Sequence, residues 1–493
     1  MAGLRLYLGA AAAVASRTLA AVTVTYPVPS TTPSNSVELD SAPVGVSMEF
    51  FMWPSYMTNI SIATDCLKHF DELYGKKTPT RIGGTTQDRA TYDPDFDGYV
   101  SYHVDDPLDA PMTLTYGPKF FDLISAWGAE TTLGFNRGDN NFTNTMEAAL
   151  TAQSRAGEFL WAIELGNEPD LYYLYWNKPV ATAPWNETQE GANAAQWAQA
   201  FIDSWDGEQP ILSAGVYGVP LPLQPGWPNM IYLVSEAYNE TVKAGTKVYC
   251  AHAYALSNGT DLQTEMNHIR TASDISQFKD DVALVNSIGR DHIIGEAGFH
   301  GQDVDIDATL GGAVQMVDKT LLATSIGLKQ IYYHQGTINQ AYFNWWSDDQ
   351  VEAPFYGGYF AALALSGGDH IIASDNGTDS YAQYIIYKDG SPFKAVLVNT
   401  DYYSGTGDRN QTTFTLTGLS CSKTVKTLRM TAPSSDYTTT ADTSVAQQLT
   451  IGGRYFSNTD CAAIGEERFE EVKTSGGKAS FTVGASEALI VYL

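Results

Sequence analysis

Positive charge is what this sequence has least of. Lys and Arg number 28 against 56 Asp and Glu, a formal net charge of −28 at pH 7. A surface this acidic repels phosphate backbones, so nucleic acid is not an expected partner, and no basic cleft is evident for a sulfated chain. Long apolar runs are missing beyond the N-terminus: no later segment reaches the roughly 20 residues a bilayer-spanning helix needs, so no membrane partner is expected. Cysteine is scarce. Cys66, Cys250, Cys421 and Cys461 are the whole set, and none stands in a Cys/His spacing that builds a zinc site. Neither a metal nor a cofactor is expected. Internal repeats and low-complexity linkers are absent as well, and the ordinary apolar content speaks against disorder.

What is present begins with a secretory signal. Arg5 supplies a basic start, Leu6 to Ala15 a short apolar stretch, and small residues up to Ala21 offer cleavage sites. Sequons begin at Asn59, Asn141, Asn186, Asn239, Asn258, Asn376 and Asn410. Together these predict a secreted, extracellular glycoprotein. The excess of carboxylates suits solubility, or work at mildly acidic pH, where fewer are ionised. Four cysteines allow three full pairings. Cys421 and Cys461 share the C-terminal region and are the favoured bridge, whereas Cys66, in a helical stretch, and Cys250, in a buried strand, read as packed thiols.

The length of 493 residues exceeds what one core supports, which predicts a large domain with a smaller one. Dense apolar strand candidates occur at Val44–Phe51, Thr78–Gly84, Thr131–Asn136, Leu160–Gly166, Pro210–Val216, Lys247–Tyr254, His292–Gly295 and Lys329–His334. Helix-like stretches alternate with them, which is the signature of a (β/α)8 TIM barrel over residues 42–368. A doubly wound open sheet would give the same alternation. From residue 369 to 493 short strand-like runs and turn residues dominate, which predicts a C-terminal antiparallel β-sandwich. Residues 1–21 are then the signal peptide, and 22–41 hold an N-terminal strand segment that pairs with the sandwich.

Barrel enzymes carry their chemistry at the C-terminal ends of strands. Strand four runs Glu164-Leu-Gly-Asn167-Glu168-Pro169-Asp170, and strand seven runs Ile293-Ile-Gly-Glu296-Ala-Gly298. Pro169 prevents a simple continuation of the strand, so Glu168 sits where the chain turns. Two carboxyls at such positions suit glycoside hydrolysis, in which one protonates the leaving oxygen and the other attacks the anomeric carbon or activates water.

With these motifs the chain resembles glycoside hydrolase family 79, the β-glucuronidase and heparanase family. Further matches are Gly45-Val-Ser-Met-Glu49-Phe-Phe51 at strand one, Arg81-Ile-Gly-Gly-Thr85 at strand two and His252-Ala-Tyr254 at strand six. The resemblance implies a retaining exo-β-glucuronidase with Glu168 as acid/base and Glu296 as nucleophile, acting on a glucuronide or a glycan capped with glucuronic acid or its 4-O-methyl form. It implies that Asn167, Glu49 and Thr85 bind sugar hydroxyls and that Tyr254 donates to Glu296. For the substrate carboxylate it implies a clamp from the backbone of Gly301 and Gln302, with His300 nearby, and from Tyr342, with Tyr333 as a substitute. Trp345 and Trp346 offer either a sugar-stacking wall or core packing. A neutral-sugar glycosidase of xylosidase or galactanase type, and a non-catalytic carbohydrate-binding glycoprotein, are the competing readings.

Overall fold

The structure, a computed structural model, describes residues 22–219, 222–255, 260–299, 304–340, 343–439 and 448–493. The signal-peptide segment, the Asn258 sequon and His300, Gly301, Gln302 and Tyr342 lie outside the described residues.

Eight parallel strands close into a barrel. In chain order they are Val44–Glu49, Thr80–Gly83, Thr131–Phe135, Leu160–Leu165, Leu212–Tyr217, Thr246–Ala253, Asp291–Ala297 and Leu328–Gln335. Closure comes from pairing of the eighth with the first, Ile331 opposite Val44 and Gln335 opposite Met48, and this rules out the open sheet. Strands buried on both faces explain the unbroken apolar runs.

Side chains alternate across each strand. One set fills the barrel, where Ala162, Val248, Cys250, Ile293 and Tyr332 pack together. The other set meets the surrounding helices. Helix Leu310–Ser325 is buried nearly all round, because it lies between the barrel and the second domain and packs on helix Ala353–Leu365. Among the described residues no helix is long and apolar enough to cross a membrane.

The C-terminal domain is two packed sheets. Strand Val22–Pro27 joins Gln411–Thr417 in parallel, and Lys478–Gly484 completes that sheet. The larger sheet includes Thr424–Thr431, Glu487–Tyr492, Ser391–Asn399, Tyr381–Lys388 and His370–Ala373, with Val37–Glu38 at its edge. Inward residues such as Phe414, Leu416, Phe481, Leu397 and Val491 make the shared core.

The expected Cys421–Cys461 bridge is not formed. Cys461 bonds Cys66 instead, and Cys421 is an exposed free thiol. The reading of Cys66 as a packed thiol is corrected with it, while Cys250 is buried and free. Nearness in sequence misled here. Helix Ser61–Tyr74 packs on the second domain, with His69 Nε2 2.7 Å from the Cys461 carbonyl and its ring against Phe456.

Candidate active site

The barrel interior turns polar towards its C-terminal mouth. Ser47 and Glu49 of strand one, Arg81 of strand two, Glu164 of strand four, His252 of strand six and His334 of strand eight all project inward by strand parity. Glu168 and Glu296 complete the set, and both are nearly buried, at 9% and 7% exposure.

Glu168 follows strand four in left-handed backbone geometry, φ 49° and ψ 54°, before a short turn Pro169–Leu171. Few non-glycine residues adopt that geometry, and it turns the carboxyl into the mouth. His252 Nδ1 lies 3.0 Å from Glu168 Oε1. Across the mouth, Glu296 Oε1 accepts from the Tyr254 hydroxyl at 2.8 Å and Oε2 from Arg81 Nη1 at 2.8 Å. Burial works to raise the Glu296 pKa, but the positive charges of His334, His252 and Arg81 and the Tyr254 hydroxyl outweigh it and hold the carboxyl well below the usual range.

Arg81 is the centre of this arrangement, and the sequence reading saw it only as part of a motif. Its Nε donates to Glu164 at 2.8 Å, Nη1 also to Ser47 at 3.0 Å, and Nη2 to the Asn167 amide oxygen at 2.8 Å. The fully buried guanidinium thus spans two carboxylates in its fixed fork. With its oxygen taken, Asn167 has its NH2 left for another partner. Asp88 is a second organiser that went unread: it accepts from the backbone of Arg137, Gly138 and Asn167 and from the Tyr172 hydroxyl.

Glu49 lies on the strand-eight side. Its Oε1 accepts from the backbone and hydroxyl of Thr86, and Oε2 is 3.2 Å from His334 Nε2. Thr85, expected to bind a sugar hydroxyl, is the half-buried first residue of that turn, next to the Thr86 that holds Glu49. Gly84 makes this possible, because its φ of 95° suits glycine and a Cβ there would collide with the Glu49 carboxylate. Burial opposes a charge on His334, yet Glu296 and Glu49 raise its pKa.

Geometry decides two readings, against Tyr333 in the clamp and for core packing of the two tryptophans. Tyr333 has outward parity, and its hydroxyl meets Thr320 and the Met316 carbonyl of helix Leu310–Ser325, so it is no substitute in a clamp. Trp345 and Trp346 are fully buried, with Trp345 stacked on Phe70, and form no sugar wall. Phe343, beside Tyr254 at 5.2 Å and His334 at 5.9 Å, is the aromatic ring near the mouth that sequence reasoning missed.

Glu168, His252 and Glu296 bring one ligand atom each within 4.8 Å of one another, a spacing that can hold a metal ion. Arg81 already sits against Glu296 and would repel a second cation. The donor set suits proton transfer and carboxylate attack better.

Comparison with known proteins follows the same lines. Residues 383–490 match the model of the glycosyl hydrolase family 79 C-terminal beta domain. The crystal structure of a 4-O-α-L-rhamnosyl-β-D-glucuronidase from Fusarium oxysporum, solved with Rha-GlcA, superposes with a TM-score of 0.88 and 38% identity, covering 95% of this chain and 100% of that one. A β-glucuronidase of Aspergillus niger is 27% identical over 391 residues, 72% of this chain and 71% of that protein. One of Neurospora crassa is 26% identical over 422 residues, 76% and 74% of the two chains. Identity of 38% across the full length of a structurally matched relative goes beyond a shared fold, and the chain belongs to glycoside hydrolase family 79.

Proposed function

We propose that this chain is a secreted, retaining exo-β-glucuronidase that removes terminal β-linked glucuronic acid, with or without a substituent at O4, from glycans or small glucuronides. The observation that carries the reading is the facing pair. Glu168 and Glu296 have oxygens within 4.8 Å, in keeping with the roughly 5–5.5 Å carboxyl separation of retaining enzymes. Of these two, Glu296 is ion-paired to Arg81 and Glu168 meets His252, among the described residues.

In the first step Glu296 attacks the anomeric carbon while Glu168 gives its proton to the glycosidic oxygen, and the aglycone leaves as an alcohol. In the second, Glu168 takes a proton from water, the oxygen attacks the anomeric carbon, and Glu296 is released as a carboxylate. Arg81 and Tyr254 keep Glu296 anionic and aimed. The Asn167 amide donates to the sugar 2-hydroxyl, and Glu49 and Thr85 take the remaining hydroxyls. The substrate carboxylate meets the backbone of Gly301 and Gln302 and the Tyr342 hydroxyl, which lets a very acidic protein bind an anionic sugar through local, directed bonds. The names of the Fusarium, Aspergillus and Neurospora relatives support the sugar, and the Fusarium name supports an O4 substituent.

A panel of chromogenic β-glycosides tests this: glucuronide, 4-O-rhamnosyl glucuronide, galacturonide, glucoside, xyloside and galactoside. The expected result is turnover of one or both glucuronides well above the rest, with the β-anomer released first by NMR. Preference for a neutral glycoside would overturn the uronic acid assignment, release of the α-anomer the retaining one.

A further inference from the structure

The residue two beyond Glu168 makes contacts that the reaction above does not use. Asp170 is 2% exposed. Its Oδ1 accepts from the Gly218 backbone N–H at 2.9 Å, and Oδ2 from the Val219 N–H at 3.2 Å and the Trp227 indole at 3.3 Å. All three donors belong to the loop after strand five. That loop presses on the acid/base: a Cβ added at Gly218 would come within 2.9 Å of Glu168 Cδ and 3.0 Å of Oε1. The strand ends are joined a second time, by the Glu168 N–H and the Val216 carbonyl at 3.0 Å.

Both joined residues hold backbone conformations they would not choose alone. Glu168 has φ 49° and Val216 has φ 55°, and for a β-branched residue the second is a true outlier. Such geometry persists only where surrounding contacts over-determine it, and it clusters at functional sites. Asp170 is the side chain that ties the two strained turns together. Burial pushes its carboxyl up to about 8, against the Gly218 N–H and with the help of the Glu168 charge, so the two carboxyls lie close enough to sense each other.

We propose that Asp170 is a positioning residue for the acid/base: by clasping the strand-five loop it seats Gly218 against Glu168 and fixes the oxygen that delivers the proton to the leaving group. This rests on the assignment of Glu168 as acid/base. A misplaced acid costs most where the leaving group needs the proton and little where it does not. A merely structural role would lower all substrates together.

The test compares kcat/KM on a methyl or phenyl β-glucuronide with that on 2,4-dinitrophenyl β-glucuronide for wild type, Asp170→Asn, Trp227→Phe and Glu168→Gln. Asp170→Asn is expected to lose roughly 10- to 100-fold on the poor leaving group and less than about 3-fold on the dinitrophenolate. Equal losses on both would overturn the proposal. Glu168→Gln separates the two claims, because absence of leaving-group selectivity there sinks the acid/base assignment itself. Its presence there without selectivity in Asp170→Asn sinks only the clasp. If Asp170→Asn does not fold, Trp227→Phe decides: a few-fold loss confined to the poor leaving group supports the clasp, and no loss or an equal one overturns it.

Discussion

Among the described residues, buried histidine meets carboxylate in two parts of this molecule. At the barrel mouth His252 lies 3.0 Å from Glu168, and His334 lies 3.2 Å from Glu49 and 3.7 Å from Glu296. At the seam between barrel and sandwich, His268 Nδ1 lies 2.7 Å from Asp318 and Nε2 2.9 Å from Asp375, and the Tyr384 hydroxyl donates to Asp318 at 2.6 Å. The seam is closed on itself, with both ring nitrogens held by a carboxylate and no side chain of the triad more than 7% exposed. At the mouth the Asn167 NH2 has no partner among the described residues, and Glu168 and Glu296 bring oxygens within 4.8 Å of each other. Residue type does not distinguish the two clusters. What separates chemistry from structure is whether the polar groups are already satisfied by one another.

Paired substitutions sharpen that contrast. The largest effect is expected from Glu296→Ala, a loss of roughly 10^4-fold or more in kcat/KM on a glucuronide with a folded, cooperative melt; retention of near wild-type rate would remove Glu296 from the chemistry. His268→Ala should do the opposite. Breaking a buried ion-paired network costs about 3–5 kcal/mol, visible as a lower denaturant midpoint, while the folded fraction keeps its kcat/KM. A selective loss of activity there would erase the distinction between the two clusters. Tyr254→Phe removes one hydrogen bond to a charged group, about 1.5–3 kcal/mol, so kcat should fall roughly 10- to 100-fold with little change in melting.

The most gradual effect is on pH dependence. Burial acts to lower the His268 pKa, but Asp318 and Asp375 raise it from 6.5 to about 10. A raised pKa means that the stabilisation is fully present below about pH 6.5 and is lost as pH rises towards 10, at no more than about 1.4 kcal/mol per pH unit. Asp375, lowered against burial by the same histidine, contributes above its ordinary 3.8 and loses that contribution as pH falls. Urea midpoints of wild type and His268→Gln should therefore converge between pH 7 and 10. Parallel curves would show that His268 carries no charge at the seam.

Strand parity explains how much of this was legible in the sequence. Apolar runs and their spacing located all eight barrel strands to within a few residues, and turn chemistry marked Glu168 and Glu296 because each ends such a run. Period two, counted back from Tyr254, also places His252 inside the barrel. That signal was available and was not used. Other features had no local signal. Asp88 and Asp170 act through backbone N–H groups of distant loops, which no pattern of side chains announces. The Cys66–Cys461 pairing depends on how helix Ser61–Tyr74 lies on the second domain, a fact of packing and not of spacing.

That bridge joins positions 395 residues apart and so closes nearly the whole barrel and most of the sandwich into one covalent ring. A protease that cuts any exposed loop between Cys66 and Cys461 opens the ring but releases no fragment. Nicked chains stay whole under non-reducing electrophoresis and separate into two pieces only when a thiol is added. Damage at a single surface loop would then leave barrel and sandwich tethered.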